Sequence, residues 1–254
     1  MFKQLLNEKK IISSLGLLKN NKAIYVLHHT NVYESMNFTN TEVQNRIWTL
    51  GHFNIGLQVN PHYFGKIKLR EKNKITRFFI VSTVKRNYKY IISAVKKIIS
   101  ENLEFKIFVV GYEKSFSIDN NNKKLKDIFI FNYNVNFSTL YYIIDSSDYI
   151  IINLDPDRDK EFKYESLSGA AQLSYGFYKP ALINSYFKDN YNMSEENSFI
   201  FDKNNFYNIM KEAILLNNKK YKDMQRNLIK LSNRIYNISL LNVKKTLDNI
   251  LKSI

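Results

Sequence analysis

Short apolar runs recur along the chain from Arg77 onward, and longer segments with helical spacing separate them. The runs lack the polar alternate positions of a half-exposed strand, so each is predicted to be a strand buried on both faces. The predicted strands cover residues 77–82, 105–111, 127–133, 149–154, 180–184 and 198–202.

The segments between the strands have the spacing of amphipathic helices. In residues 88–100, for example, Ile91, Val95 and Ile98 recur on one helical face. Further helices are predicted over 137–148, after Ser168, over 204–216 and over 221–254. The helix at 137–148 is predicted to begin after Phe137, with Ser138 as its N-cap.

Strands that alternate with helices form a parallel sheet covered by helices on both faces. The pattern therefore predicts a doubly wound, Rossmann-like α/β domain at residues 66–254, with its first and fourth strands as neighbours. Such sheets bind ligands in the crevice beyond the carboxyl ends of their strands. The loops that open on this crevice follow Ser82, Gly111, Tyr133, Leu154 and Asn184.

The first 65 residues contain fewer and shorter apolar runs than the rest of the chain. A basic amphipathic helix is predicted at about 3–19, and short strands at 23–29, 46–51 and 55–60. Residues 1–65 are therefore predicted to be a small, incomplete α/β part. The apolar face of the first helix is predicted to be core, and an anionic membrane surface is the alternative partner for it.

Composition narrows the class of protein. Of 254 residues, 44% are hydrophobic and none is Cys, which favours a folded chain and excludes disulfides and Cys-ligated metal sites. No apolar run approaches the roughly 20 residues of a transmembrane helix, and the N-terminus lacks a signal-peptide pattern, so a cytoplasmic protein is expected. The net charge is +15, which is the one argument for nucleic-acid binding. The basic residues are spread over the whole chain, which argues against a dedicated nucleic-acid-binding groove.

The loop after the first strand is polar and basic. Ser82 and Thr83 supply hydroxyl groups there, and Lys85 and Arg86 supply cations. Cations at this place would neutralise a diphosphate and stabilise it as a leaving group. A solvated basic turn is the alternative, since the chain has 38 Lys and Arg.

A second candidate segment is SGAAQLSYGFYKPALIN, residues 168–184. The first N–H groups of a helix lack intrahelical partners, and the helix dipole favours negative charge there. Gly169 would let a phosphate approach the backbone, Ser168 would add a hydroxyl, and Ala170 and Ala171 would allow close packing on the sheet. An ordinary helix start with Ser168 as N-cap is the alternative, because the motif is short.

Three segments together resemble the C-terminal half of a GT-B glycosyltransferase: VNPHYFG, FFIVSTVKRNYKYIISAV and SGAAQLSYGFYKPALIN. The resemblance runs from about Val59 to Ile254. It implies a nucleotide-diphosphate-sugar donor, with no obligatory metal and no cofactor. The residues implied to hold the donor diphosphate are Ser82, Thr83, Lys85, Arg86, Ser168, Gly169 and Ala170. Gln172 and Tyr133 are implied to contact the ribose and the nucleoside.

The sequence departs from the family pattern in two ways. The family has a Glu at the position of Gln172, and an amide accepts a hydrogen bond from a ribose hydroxyl without the charge. Glu165 lies seven residues before Gln172, so the family's usual pair of carboxylates is not reproduced. The acceptor-binding half is also short: it is either truncated, or supplied by a partner chain, or lost from a protein that is no longer a transferase.

The histidines are the candidates for acid–base chemistry. His28 and His29 end a predicted strand, and His62 lies in the predicted hinge turn. We expect His28 or His62 to face the acceptor or the transferred sugar, with packing in the core or on the surface as the alternative. His52 is expected to be structural.

The run LDPDRDKE (154–161) places three Asp at alternate positions, as an EF-hand loop does. Lys160 and Ser166 stand where that loop needs Gly and Glu. The carboxylates are therefore expected to be solvated and balanced by Arg158 and Lys160, and no metal site is predicted.

The sequence thus predicts a glycosyltransferase that moves a sugar from a nucleotide-diphosphate sugar to a glycan or lipid-linked acceptor in bacterial surface-polysaccharide synthesis. The alternative is a non-catalytic or split-enzyme GT-B subunit that keeps the nucleotide fold and serves in binding or assembly. The expected partners are the donor and the acceptor, with peripheral contact to the inner membrane face or a complementing N-terminal chain left open, and no nucleic acid.

Overall fold

The computed structural model describes residues 24–27, 47–51, 56–60, 67–82, 86–112, 116, 118–119, 122–164 and 166–252. Two compact units are present. The first takes the described residues of Met1–Pro61 with Glu161–Leu167 and Asn233–Ile254, and the second takes those of His62–Lys160 and Ser168–Ser232. The division into domains at 1–65 and 66–254 stays a prediction.

The described strands form two sheets in which every pair is parallel. The small sheet has the order β1-β2-β3, with β1 at Tyr25–Leu27, β2 at Ile47–Thr49 and β3 at Leu57–Gln58. The large sheet consists of β4 (Thr76–Ser82), β5 (Phe105–Gly111), β6 (Phe129–Tyr133), β7 (Tyr149–Ile152), β8 (Ala181–Asn184) and β9 (Ser198–Phe201). Its order is β6-β5-β4-β7-β8-β9, which confirms the doubly wound, Rossmann-like α/β fold.

Helices connect the strands of the large sheet and follow it. They are α1 (Lys89–Ser100), α2 (Lys123–Ile128), α3 (Phe137–Ser146), α4 (Glu161–Tyr164), α5 (Gly169–Phe177), α6 (Phe206–Leu215) and α7 (Asn218–Lys252), with a 3-10 turn at Asp189–Tyr191.

Two local predictions are wrong because asparagine side chains cap helices there. The N-cap of α3 is Asn136 rather than Ser138, since the Asn136 side chain accepts a hydrogen bond from the Thr139 N–H at 2.8 Å. The strand predicted at 127–133 begins only at Phe129. Asn122 caps the short helix α2 in front of it.

The core of the second unit has two sides, as the apolar strands predicted. The prediction of burial on both faces is wrong for β6, which is an edge strand and is buried only at Phe129. Successive residues of a strand point to opposite faces of the sheet. Phe78 and Ile80 of β4 join a buried cluster that includes Ile91 of α1 and Met210 of α6. Phe79 is equally buried and points to the opposite face, and α3 packs on β4 while α5 packs on β7. The sheet is therefore a rigid platform for the loops at its edges.

Within the first unit, polar side chains attach the C-terminal part of α7 to the small sheet. Ser239 accepts a hydrogen bond from the Asn60 N–H at 3.0 Å, and Asn242 donates to the Gln58 carbonyl at 2.9 Å. Trp48 donates to Thr246 at 3.0 Å. None of the described helices is long and apolar enough to span a bilayer.

Lys179 is a buried cation in the second unit, with 2% of its surface exposed. Its Nζ donates to the Asp145 carbonyl at 2.7 Å, near the C-terminal end of α3, where positive charge is favourable. Burial lowers the pKa of Lys179 to about 8, although Asp145 and Asp148 oppose that shift. The lysine thus caps a helix at the cost of burying its charge.

We expect the stability difference between the wild type and Lys179→Met to change with pH. The unfolded lysine titrates near 10.5 and the folded one near 8. Between these values the unfolded chain binds more protons, so the wild type gains stability relative to the variant as pH rises. The gain from pH 7.5 to pH 10 is expected to be roughly 2 kcal/mol, measured by urea unfolding of both proteins. A difference that is the same at both pH values would contradict the burial of this charge.

Candidate functional site

The large sheet has one point where the direction of winding reverses, between β4 and β7. These strands pair in register from Phe78 with Tyr149 to Ile80 with Ile151, which confirms that the first and fourth predicted strands are neighbours. The chain leaves β4 toward β5 on one side and returns to β7 on the other. In such sheets the ligand crevice lies beyond the carboxyl ends of the strands at this switch point.

The predicted basic loop follows β4 at the switch point. Ser82 ends the strand and pairs in register with Gly111 of β5. Thr83 and Lys85 lie outside the described residues. Arg86 lies within them and is half-buried just before α1.

Arg86 is held by a carboxylate from the loop after β7. Its guanidinium donates to Asp159, and the two side chains are only 17% and 16% exposed. The same Asp159 oxygen accepts the Asp155 N–H at 2.8 Å. Asp159 is therefore not a solvated carboxylate balanced by Arg158 and Lys160, as predicted, because its partner comes from another loop. This ion pair joins the two loops that flank the switch point.

A second polar pair, Tyr90 and Asn153, lies beside the first and was not predicted from the sequence. Asn153 is the first residue after β7 and is 7% exposed. Its Oδ1 accepts a hydrogen bond from the Tyr90 hydroxyl at 2.7 Å, while Nδ2 meets no acceptor in the described part of the chain. The sequence feature that could have identified Asn153 is its position as a polar residue directly after the apolar run YIII.

The charged side chains around the first pair act on the Tyr90 hydroxyl of the second pair. Burial raises the pKa of Tyr90, and the neighbouring Asp155 and Asp159 carboxylates act in the same direction while Arg86 opposes them. The tyrosine therefore stays a neutral hydroxyl that donates a hydrogen bond at any physiological pH.

The start of α5 has room for a ligand. A Cβ added at Gly169 would meet no atom within 4 Å, so neither packing nor the backbone requires glycine there. Ser168 has the extended conformation of an N-cap, but its hydroxyl makes no capping bond. Its carbonyl accepts the N–H groups of Ala171 and Gln172, which leaves those of Gly169 and Ala170 as first-turn donors.

The other predicted site residues are more dispersed. Ala171 is fully buried, as expected for close packing on the sheet, whereas Ala170 and Gln172 are half-buried. Tyr133 ends β6, an edge strand that lies three strand spacings, roughly 14 Å, from β7. It stacks on Phe131 with 5.8 Å between ring centroids.

Several predictions fall on residues that the structure does not describe. These are the roles of His28, His29, His52 and His62 and the position of Glu165. No group of three metal-ligating side chains is present among the described residues. Donor contacts, catalytic histidines and the lack of a metal therefore stay predictions.

A surface cavity of about 530 Å³ lies away from the switch point. It is lined by Ile75, Asn102, Phe105 and Asp127, among others, which flank the amino-terminal ends of β4, β5 and β6. Ligands of doubly wound sheets bind at the opposite edge. This cavity is therefore not the candidate site.

Neither a protein-family model nor a curated protein matches the sequence, but solved structures match the fold. A glycosyltransferase from Rickettsia africae ESF-5 matches 97% of this chain and 67% of its own, with a TM-score of 0.58 and 15% identity. Sucrose-phosphate synthase from Thermosynechococcus elongatus matches 100% of this chain and 63% of its own, with a TM-score of 0.51 and 10% identity. The chain therefore has the GT-B glycosyltransferase fold and spans about two thirds of the length of these proteins.

Proposed function

We propose that this protein is a glycosyltransferase that holds a nucleotide-diphosphate-sugar donor at the β4/β7 switch point. The observation that carries the proposal is the open start of α5 beside this switch point, on a fold that glycosyltransferases share. First-turn N–H groups and the helix dipole favour a phosphate there. The position of Gly169 leaves space for it to reach the backbone.

In this proposal the diphosphate is bound by the residues that flank the switch point. Arg86 supplies a cation, and Ser168, Gly169 and Ala170 supply the helix start. Positive charge and N–H donors stabilise the nucleoside diphosphate as a leaving group. Gln172 meets the ribose through its amide carbonyl. The donor half therefore binds and orients the donor, while a histidine such as His28 or His62 acts on the acceptor side.

The proposed acceptor is a glycan or a lipid-linked sugar in bacterial surface-polysaccharide synthesis, reached from the cytoplasm. This part of the proposal rests on the resemblance in sequence. Contact with a membrane face or with a complementing chain is compatible with it.

The proposal is tested by turnover. The purified full chain is incubated with UDP-sugars and GDP-sugars, with and without glycan acceptors, and release of the nucleoside diphosphate is measured. We expect release with one donor class, and a large loss of release in Arg86→Ala. If no donor gives turnover and none binds at millimolar concentration, the proposal is wrong.

A non-catalytic nucleotide-binding subunit is the second candidate, and Gln172 is the observation that favours it. Without the charge of a Glu, the ribose is held less strongly. This candidate predicts binding of the nucleoside diphosphate without turnover. Activity of the purified chain alone would exclude it.

We expect Asp159→Asn to strengthen the binding of UDP or GDP several-fold. The substitution removes a negative charge that contacts Arg86, while its amide oxygen still accepts the Asp155 N–H. Because no carboxylate then competes for the Arg86 guanidinium, an incoming phosphate binds to it more strongly. Calorimetric titration at fixed ionic strength measures the effect.

Asp157→Asn is the matched control for this prediction. Asp157 lies in the same loop, but its side chain is 78% exposed beside Lys203, so its removal should change the affinity less than two-fold. If Asp159→Asn instead weakens binding as much as Arg86→Ala does, the ion pair holds the loops in place rather than competing with the ligand.

A further inference from the structure

We infer that Asn153 is a ligand-binding residue, whose side-chain amide donates to a phosphate oxygen of the bound nucleotide. The inference rests on the proposed function, because it names a contact at the same switch point. It adds a residue that neither the sequence pattern nor the resemblance assigned to the site.

In this structure the Asn153 amide presents its oxygen to Tyr90. The Tyr90 hydroxyl donates to Oδ1 at 2.7 Å, and a carbonyl oxygen in that position turns the NH₂ group the other way. Nδ2 meets no acceptor in the described part of the chain. The pair thus leaves one buried, unpaired donor at the carboxyl end of β7.

A buried donor without an acceptor weakens a fold, because its desolvation is not compensated. The chain avoids this cost at a comparable asparagine. Asn197 is also 7% exposed, but its Oδ1 accepts from Ser194 and Ser198 and its Nδ2 donates to Asn192. Asn197 precedes β9, at the opposite edge of the sheet. Tyr149 and Gln225 also carry a buried polar atom without a partner in the described part of the chain. Of these three residues, Asn153 lies at the carboxyl end of a switch-point strand, and this position favours a ligand as its partner.

The surroundings of Asn153 indicate a phosphate. Nδ2 is only a donor, so its partner must present an acceptor such as a phosphate oxygen. Asn153 lies just beyond β7, beside β4, where doubly wound sheets bind pyrophosphate groups. Tyr90 is close enough to Arg86 for the guanidinium charge to act on its hydroxyl. The cation and the amide donor therefore belong to the same cluster.

The test replaces the polar pair by apolar residues of similar shape. We expect the double variant Tyr90→Phe/Asn153→Leu to bind UDP or GDP about ten-fold more weakly than the wild type, since a hydrogen bond to a charged group is lost. Its thermal midpoint is expected to equal or exceed that of the wild type, because the unpaired donor is removed. Uridine or guanosine, which lack phosphate, should bind the two proteins equally.

Asn197→Leu is the matched control and should give the opposite result. It removes satisfied hydrogen bonds, so the thermal midpoint should fall while the affinity for UDP or GDP stays unchanged. Tyr90→Phe alone should weaken binding several-fold, because the amide is then free to rotate, and should lower the thermal midpoint, because the buried Oδ1 loses its donor.

The outcomes distinguish a failure of the proposed function from a failure of the role inferred for Asn153. If the wild type binds neither UDP nor GDP, the proposed function fails. If the wild type binds and the double variant binds within two-fold of it, Asn153 is not a ligand contact. If the double variant does not fold, Tyr90→Phe decides, and an unchanged affinity in that variant overturns the inference.

Discussion

Gly169→Val is expected to weaken the binding of UDP or GDP at least about 100-fold and to leave the fold intact. A Cβ at this position meets no atom within 4 Å, so the folded chain accommodates the valine. Glycine is also among the poorest helix formers, so the exchange does not weaken α5. The branched side chain instead occupies the space through which a phosphate reaches the N–H groups of the helix start.

Calorimetric titration and thermal unfolding of the same samples separate the two effects. Gly169→Ala is the graded control, and its single methyl group should weaken binding less than valine does. A valine variant with normal affinity and a normal thermal midpoint would show that the start of α5 is an ordinary helix start with Ser168 as its N-cap.

Asp148→Ala is expected to cost about 3–5 kcal/mol of the free energy of unfolding. Asp148 is 1% exposed. It accepts hydrogen bonds from the Asn73 N–H and Nδ2, both at 2.9 Å, and from the Arg77 N–H at 2.7 Å. Burial raises the pKa of this carboxyl, and these hydrogen bonds oppose the rise. Alanine would leave the N–H groups of Asn73 and Arg77 without this acceptor where β4 and β7 begin, and Asn73 Nδ2 would keep only the Ser146 carbonyl.

Urea unfolding at neutral pH measures this loss. Asp223→Ala is the matched control, because Asp223 forms an exposed ion pair with Arg226 and such pairs contribute little. The control should leave the urea midpoint nearly unchanged. A loss below about 1 kcal/mol in Asp148→Ala would mean that the carboxylate does not organise this edge of the sheet.

The large sheet could be predicted from the sequence because its strands are apolar on both faces. Residues 78–81 and 107–110 within these strands have no polar alternate positions, and only a sheet covered on both sides buries them. Predictions failed where one side chain decided a boundary. Asn136 and Ser138 are both good N-caps, and only the backbone conformation shows that Asn136 has that role.

The candidate site was predictable only in part, because its contacts join distant parts of the chain. The sequence identified Arg86 as a cation in the right loop, but Asp159 lies 73 positions away along the chain. Tyr90 and Asn153 form their pair across 63 positions. Local patterns carry no information on such pairs, which depend on the adjacency of β4 and β7.

The turn after α5 also shows what a local pattern misses. Tyr178 precedes Lys179-Pro180 and adopts the left-handed conformation with φ of 53°. A non-glycine residue in that conformation costs about 1 kcal/mol. The turn keeps its shape because the Tyr178 N–H and the Lys179 N–H both donate to the Ser174 carbonyl.

Hydrogen exchange of the full chain with and without UDP or GDP tests the central claim most directly, because it locates the bound nucleotide. We predict slower exchange in the segments that flank the switch point, residues 86–90 and 153–172, and no change at the cavity around residues 102–106. Protection at that cavity instead, or no protection in any segment at millimolar nucleotide, would contradict a diphosphate site at the β4/β7 switch point.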